Sequence, residues 1–192
     1  NKQWNYTIGA TWRHFFDNSN LFFVMSRNHL DNTALKYLDY ADENSQNILD
    51  YKSEEIENKI RLEYNFKKND YSIIIGSNLE DATYTNNTTQ TFTVGNSIIT
   101  GINNVNLHFI KYGAFTQISK TYFKNKLTSS FGLRIDGNSF TDNANSHNLS
   151  PRLSLAYNLN SKTSINSNIG RFHQLPSYTI LGFENNGNYL NQ

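Results

Sequence analysis

The stretch WNYTIGATWRHFF, residues 4–16, alternates between two kinds of side chain. Its even positions are mostly large and apolar, whereas its odd positions are mostly small or polar. In an extended strand these two sets face opposite sides, so the stretch predicts a β-strand with one apolar and one polar face. The cluster Asp17-Asn18-Ser19-Asn20 indicates a turn, and the chain from Leu21 to about His29 is again extended.

The same period-two pattern returns in further segments along the chain. The connections between these segments alternate between short and long. Residues 56–66 place Ile60, Leu62 and Tyr64 on one face and both signs of charge on the other. A strand over about 107–121 changes phase near Ile110, which indicates a β-bulge. The pattern predicts short turns at 67–70, 124–126 and 160–162, and long loops at about 30–50, at about 86–106 and after Ile135.

The composition excludes several classes of protein. Lys and Arg (17) nearly balance Asp and Glu (16), so no basic surface for nucleic acid is expected. The chain has no cysteine and therefore no disulfide framework or thiolate metal site. Hydrophobic residues make up 37% of the 192 residues but aromatic residues 14%, and no apolar run is long enough for a membrane-spanning helix. Low hydrophobicity with many aromatics suits a barrel with one apolar face and one wet face.

These observations predict an all-β fold, an antiparallel transmembrane β-barrel. Strands of about 10–14 residues exceed the usual length in globular sheets and suit a tilted membrane crossing. Aromatic residues near strand ends, such as Trp4 and Tyr71, resemble the girdles at membrane interfaces. We expect about eight strands of a larger barrel, with short periplasmic turns and long extracellular loops. A soluble antiparallel sandwich is the alternative that period-two patterning also allows.

Four segments carry a family resemblance. In chain order they are Tyr112–Gln117, Gly132–Asp136, Leu149–Tyr157 and Gly170–Tyr178. Their order and spacing are similar to the signatures of TonB-dependent receptor barrels, and the resemblance covers about residues 107–182. It implies a barrel of about twenty-two strands whose lumen holds an N-terminal plug.

The resemblance implies an outer-membrane receptor that takes up a scarce ligand by TonB-coupled active transport. Ligands of that family include ferric siderophores, haem, cobalamin and oligosaccharides. The implied partners are outer-membrane lipid, a small-molecule ligand and, in the full-length protein, a plug domain and the TonB complex. We expect residues 1–192 to be part of a single barrel domain, cut from the middle of such a receptor, with no plug domain in this chain.

Candidate site residues lie on the polar face and beyond the last predicted strand. Arg134 and Asp136 share one side of a strand, so we expect them to join a polar network that faces the lumen. Gly170 and Pro176 bracket the predicted exit into an extracellular loop. We therefore predict a ligand-binding role for His173, Gln174 and Tyr178, and a lumen-facing polar network formed by Arg61, Glu63, Arg134, Asp136 and Arg152.

Nothing in the sequence supports catalysis. It contains no Gly-rich phosphate loop, no Gly-x-Ser-x-Gly motif and no paired acid site. The five histidines show no close metal-ligand spacing, so no metal or cofactor is predicted. We expect a protein that is not an enzyme, located in the bacterial outer membrane. Two other functions fit the same pattern, a small complete outer-membrane barrel with a structural or adhesive role and a soluble all-β binding module.

Overall fold

A computed structural model describes residues 1–38, 46–95, 97–124, 126–141, 148–182, 184–185 and 188–189. Most of them form one antiparallel sheet in which each strand pairs with the next along the chain. Its strands are β1 Lys2–Phe15, β2 Ser19–Tyr37, β3 Asn47–Lys68, β4 Tyr71–Val94, β5 Ser97–Tyr122, β6 Leu127–Asn138, β7 Leu149–Asn160 and β8 Thr163–Gly170. A short helix, α1 Tyr178–Leu181, follows β8, and the two-residue strands β9 Glu184–Asn185 and β10 Asn188–Tyr189 pair with each other. The predicted antiparallel all-β fold with eight strands is therefore confirmed.

The sheet has two faces of different character. We call the face against which α1 packs the inner face, and the opposite one the outer face. The apolar rows of residues 4–16, 56–66 and 127–135 share the outer face, where Ile8 is 65% exposed and Phe131 is 55% exposed. A water-soluble sheet would cover such rows, so their exposure indicates contact with lipid.

The strands are tilted relative to the line of short turns. A single line of register partners runs across the sheet through Phe66, Ile73, Ile118, Phe131 and Leu153. Successive short turns lie progressively further beyond this line, from the β3–β4 turn to the β7–β8 turn. A sheet that closes into a barrel requires a stagger of this kind.

The long loops predicted at 30–50 and 86–106 are wrong in their bounds. Strand β2 continues to Tyr37 and β3 begins at Asn47, while the central part of that predicted loop, 39–45, lies outside the described residues. Strands β4 and β5 remain paired as far as Val94 and Ser97. These polar stretches are rich in Thr and Asn and extend beyond the apolar rows. Hydropathy alternation therefore cannot reveal them as strands.

The β-bulge predicted near Ile110 is also wrong. The register between β4 and β5 runs without a shift from Tyr71 to Val94. The alternation changes phase for another reason: Leu107 and Phe109 are apolar residues on the inner face, buried beneath α1. Ile110 is on the outer face and continues the apolar row there. In the sequence, apolar residues on one face followed by apolar residues on the other face resemble the change of alternation that a β-bulge causes.

The sheet is open among the described residues, because β1 and β8 are its edges. Unpaired edge groups are too costly in hydrocarbon, so in a bilayer these edges need partner strands. This agrees with the predicted segment of a larger barrel. No helix in the described part of the chain is long and apolar enough to cross a membrane.

Candidate functional site

Helix α1 presses Tyr178 against the inner face of strands β3 to β5. The Tyr178 hydroxyl donates a hydrogen bond to Glu57 Oε1 at 2.5 Å and accepts one from Lys111 Nζ at 2.6 Å. The helix begins after Ser177, whose carbonyl accepts the Ile180 N–H at 2.9 Å. Gly182 follows the helix, and its backbone lies close to the Val105 side chain of β5. A Cβ at Gly182 would lie 2.4 Å from Val105 Cγ1. The sequence from Ser177 to Gly182 thus fixes the position of one buried hydroxyl.

Tyr178 completes a network of alternating charges on three neighbouring strands. Glu57 pairs with Lys59 at 2.6 Å and with Lys111 at 3.4 Å. Lys111 also forms an ion pair with Glu80 on the strand between them. The register explains the arrangement, since Lys59, Glu80 and Lys111 are partners across β3, β4 and β5. We call these five residues, Tyr178, Glu57, Lys59, Glu80 and Lys111, the Tyr178 network.

The environment of Tyr178 keeps its hydroxyl protonated. Burial raises the pKa of the hydroxyl, and the hydrogen bond to the Glu57 carboxylate raises the pKa further. A protonated phenol can donate to a carboxylate while accepting from an ammonium group. Tyr178 therefore links Glu57 and Lys111 with its hydroxyl in the protonated form.

An apolar cluster beside the Tyr178 network holds α1 against the inner face of the sheet. Leu181 is only 1% exposed, and the Tyr178 ring lies 5.7 Å from Phe109 and 5.9 Å from Tyr84. Strands β4 and β5 form the floor of this cluster, and the Phe140 ring, from the β6–β7 connection, lies 5.5 Å from the Phe109 ring in a tilted arrangement. The members of the cluster are Ala82, Tyr84, Val105, Leu107, Phe109, Phe140, Tyr178 and Leu181, with Leu175 packed against them.

A cavity of about 580 Å³, the upper cavity, lies between the segment after β8 and the inner face. The three predicted ligand-binding residues, His173, Gln174 and Tyr178, all line it. His173 is held by Ser150, whose hydroxyl oxygen lies 3.2 Å from Nδ1. Arg134 and Asp136 also line it, together with residues that include Glu55, Glu57, Glu80, Lys111, Asn138 and Pro176. The three residues of the segment after β8 therefore lie together on one side of this cavity.

A second cavity of about 320 Å³, the lower cavity, contains the rest of the predicted polar network. Arg61 pairs with Glu63 at 2.7 Å, and Arg134 pairs with Asp136 at 2.5 Å. Arg134 also donates to Asn78 Oδ1 at 2.9 Å. Arg152 lines the same cavity but makes no ion pair within the described residues; its guanidinium stacks on the Phe172 ring at 4.5 Å. Four of the five residues predicted for the polar network thus form two ion pairs, and Arg152 lies apart from them.

Phe115 connects the two ion pairs of the lower cavity. The guanidinium of Arg61 lies 4.9 Å from the ring centroid and that of Arg134 lies 5.7 Å away. The ring has room because its register partner on β4 is Gly76. A Cβ at Gly76 would come within 2.4 Å of Phe115 Cζ and 2.9 Å of the Leu62 carbonyl oxygen.

We expect Gly76→Ala to lower the free energy of unfolding by about 1–3 kcal/mol, because an added methyl group must displace the Phe115 ring and the β3 backbone. The measurement is guanidinium-induced unfolding of the full-length protein in phospholipid vesicles. Gly132→Ala is the matched control, since a Cβ there would meet its nearest atom at 3.6 Å. Equal losses for both variants would contradict the close approach at Gly76.

Part of the site was not predicted from the sequence. Lys111 and Glu80 were not singled out, because each is one charged residue in an otherwise unremarkable strand. Their pairing depends on the register between β4 and β5, which a single sequence does not give. One signal did exist: the apolar positions Leu107 and Phe109 on the polar face mark where something covers the sheet.

The histidines of the described residues do not converge on a metal site. Among the described residues no group of three or more His, Asp or Glu is placed to hold a metal ion. His14 stacks on Trp12 at 5.7 Å, His29 lies 2.8 Å from Glu54 and His108 lies 2.7 Å from Asp81. His147 lies outside the described residues.

Comparison with known proteins gives one family. A family model described as TonB dependent receptor-like, beta-barrel matches residues 1–191. A search of curated proteins found no match. The matched range includes the part before residue 107, where the sequence itself offered only a general pattern.

Proposed function

Because the chain belongs to the TonB dependent receptor-like β-barrel family, we propose that it forms part of the wall of a receptor that imports a scarce ligand by TonB-coupled active transport. The family consists of receptors and transporters of the bacterial outer membrane, not of enzymes. Full-length members have a plug domain and act with TonB on small-molecule ligands. Siderophores, haem, cobalamin and oligosaccharides are the ligand classes to test.

One observation supports a ligand site in this part of the wall. The upper cavity lies on the inner face, and the segment after β8 closes one side of it. Its lining combines carboxylates, the cations Lys111 and Arg134, and the amide of Gln174. Such a lining favours a ligand with several hydroxyl or charged groups, because it combines hydrogen-bond donors and acceptors of both charges. We propose that His173, Gln174 and Tyr178 contribute to this site.

The experiment is ligand uptake by cells that carry or lack the full-length gene. We expect deletion to abolish uptake of one radiolabelled member of a panel of ferric siderophores, haem, cobalamin and oligosaccharides. A protonophore should have the same effect, since transport draws on the proton-motive force. Equal uptake of every panel member by both strains would contradict the proposal.

We expect Gln174→Ala to weaken binding of the identified ligand by about three- to tenfold, the effect of losing one hydrogen bond. The measurement is ligand titration of the purified full-length receptor. Gln90→Ala is the control, because Gln90 is an exposed glutamine near the far end of β4, outside the lining of the upper cavity. Unchanged affinity in both variants would remove Gln174 from the site but leave the uptake result intact.

A further inference from the structure

A chain of bonded polar side chains crosses the outer face of strands β1 to β5. Arg27 Nε donates to the Tyr6 hydroxyl at 3.0 Å, and Arg27 Nη1 donates to Asn58 Oδ1 at 2.8 Å. The Asn58 amide donates to Asp81 Oδ2 at 3.2 Å, and Asp81 Oδ1 lies 2.7 Å from His108 Nε2. Arg27, Asn58 and Asp81 are register partners that interrupt the apolar rows of β2, β3 and β4. Tyr6 on β1 and His108 on β5 extend this chain, each two residues from that register row. We call all of these residues the polar border.

An apolar groove of about 510 Å³ meets the polar border at Arg27, Asn58 and Asp81. One register row forms its floor, running from Ala10 through Met25 and Ile60 to Leu79. Ala10 is the only small side chain of that row and leaves the space open. The groove therefore has an apolar floor flanked along one side by polar groups, a combination that suits an amphiphile.

The polar border lies at the height where lipid headgroups begin. Strand β4 runs from Tyr71, beside a short turn, to Asp81 in the polar border. With a rise of about 3.4 Å per residue and a tilt of about 40°, this stretch spans roughly 25 Å along the membrane normal. That is the height of the apolar band of an outer-membrane barrel. Short turns are periplasmic in such barrels, so the border faces the outer leaflet.

We propose that this groove binds one lipid of the outer leaflet, with an acyl chain along the floor and a headgroup phosphate on Arg27. Asn58 and Tyr6 orient the guanidinium, and its Nη2 has no partner among the described residues. Charge-assisted bonds from a guanidinium to phosphate are strong and directional. Both Asp81 oxygens are engaged by neighbours, since Oδ2 accepts from the Asn58 amide and Oδ1 lies 2.7 Å from His108 Nε2. The groove is continuous with the lipid-facing rows, and its occupant is therefore a lipid.

The test is native mass spectrometry of the purified full-length receptor, titrated with dioleoyl phosphatidylglycerol and with dioleoylglycerol. These probes share their acyl chains, and only the first has a phosphate. We expect Arg27→Leu to weaken the tightest phosphatidylglycerol site by about tenfold or more and to leave dioleoylglycerol unchanged. Ala10→Trp should weaken both probes, because the indole fills the groove.

Two control variants are matched to these changes. Lys120→Leu removes a cation from the outer face beside the short turns, and Ser167→Trp adds an indole on β8, far from the groove. Equal weakening by Arg27→Leu and Lys120→Leu would show diffuse attraction to anionic lipid and overturn the proposal, as would unchanged binding in Arg27→Leu. A heat-modifiable folded band establishes that each variant is folded. The lipid readout is independent of ligand uptake, so the two proposals fail separately.

Discussion

Leu153→Arg lowers the free energy of unfolding from a bilayer by about 2–4 kcal/mol, the cost of an arginine at the lipid face near the midplane. Leu153 is an exposed residue of the outer face on β7, between Phe131 and Ile169 of the neighbouring strands. An arginine there must draw its guanidinium to an interface or bring water into the hydrocarbon. The apolar neighbours offer it no partner.

The matched control is the next residue along the chain. Ser154 has nearly the same depth but lies on the inner face, beside Ser130 and Asn168. Ser154→Arg should change stability by less than about 1 kcal/mol, as polar surfaces usually tolerate. Both variants are measured by guanidinium-induced unfolding of the full-length protein in phosphatidylcholine vesicles. Similar losses in the two variants would mean that the outer face does not meet lipid, and the membrane assignment would fail.

The faces of the strands were predictable because alternation is a local property. The segments 4–16 and 56–66 each contain several repeats of the alternation, which is enough to predict which side chains share a face of the strand. The strand ends were not predictable from it. Beyond the polar border both faces meet water, so a stretch such as residues 85–91 has no apolar row and resembles a loop, although it pairs fully with β5.

The candidate site was predictable only where sequence neighbours carry it. Arg134 and Asp136 are two apart on one strand, which places them on one face, and they form an ion pair there. Tyr178 was selected for its place after Pro176, yet its partner Glu57 lies 121 positions away in the sequence. Contacts of that separation depend on the fold of the whole sheet. The polar border was missed for the same reason, since each strand contributes a single residue to it.

Helix α1 should detach when its buried anchor is shortened. Leu181→Ala removes buried methyl groups and leaves a cavity in the apolar cluster, which costs about 2–5 kcal/mol. The loss falls on docking of α1 rather than on the sheet, because strands β4 and β5 remain paired without it. Hydrogen exchange of the Leu181 and Gly182 amides, which bond to Ser177 and Tyr178 carbonyls, should accelerate by at least about thirtyfold.

Ile180 supplies the control for this change, as it is adjacent on α1 and 51% exposed. Ile180→Ala should alter exchange of the same amides by no more than about threefold, because little apolar surface is lost. The docked segment also closes the upper cavity, so Leu181→Ala should weaken ligand binding while Ile180→Ala does not. If both variants accelerated exchange equally, the apolar cluster would not be what holds Tyr178 on Glu57, and the cavity wall would need another anchor.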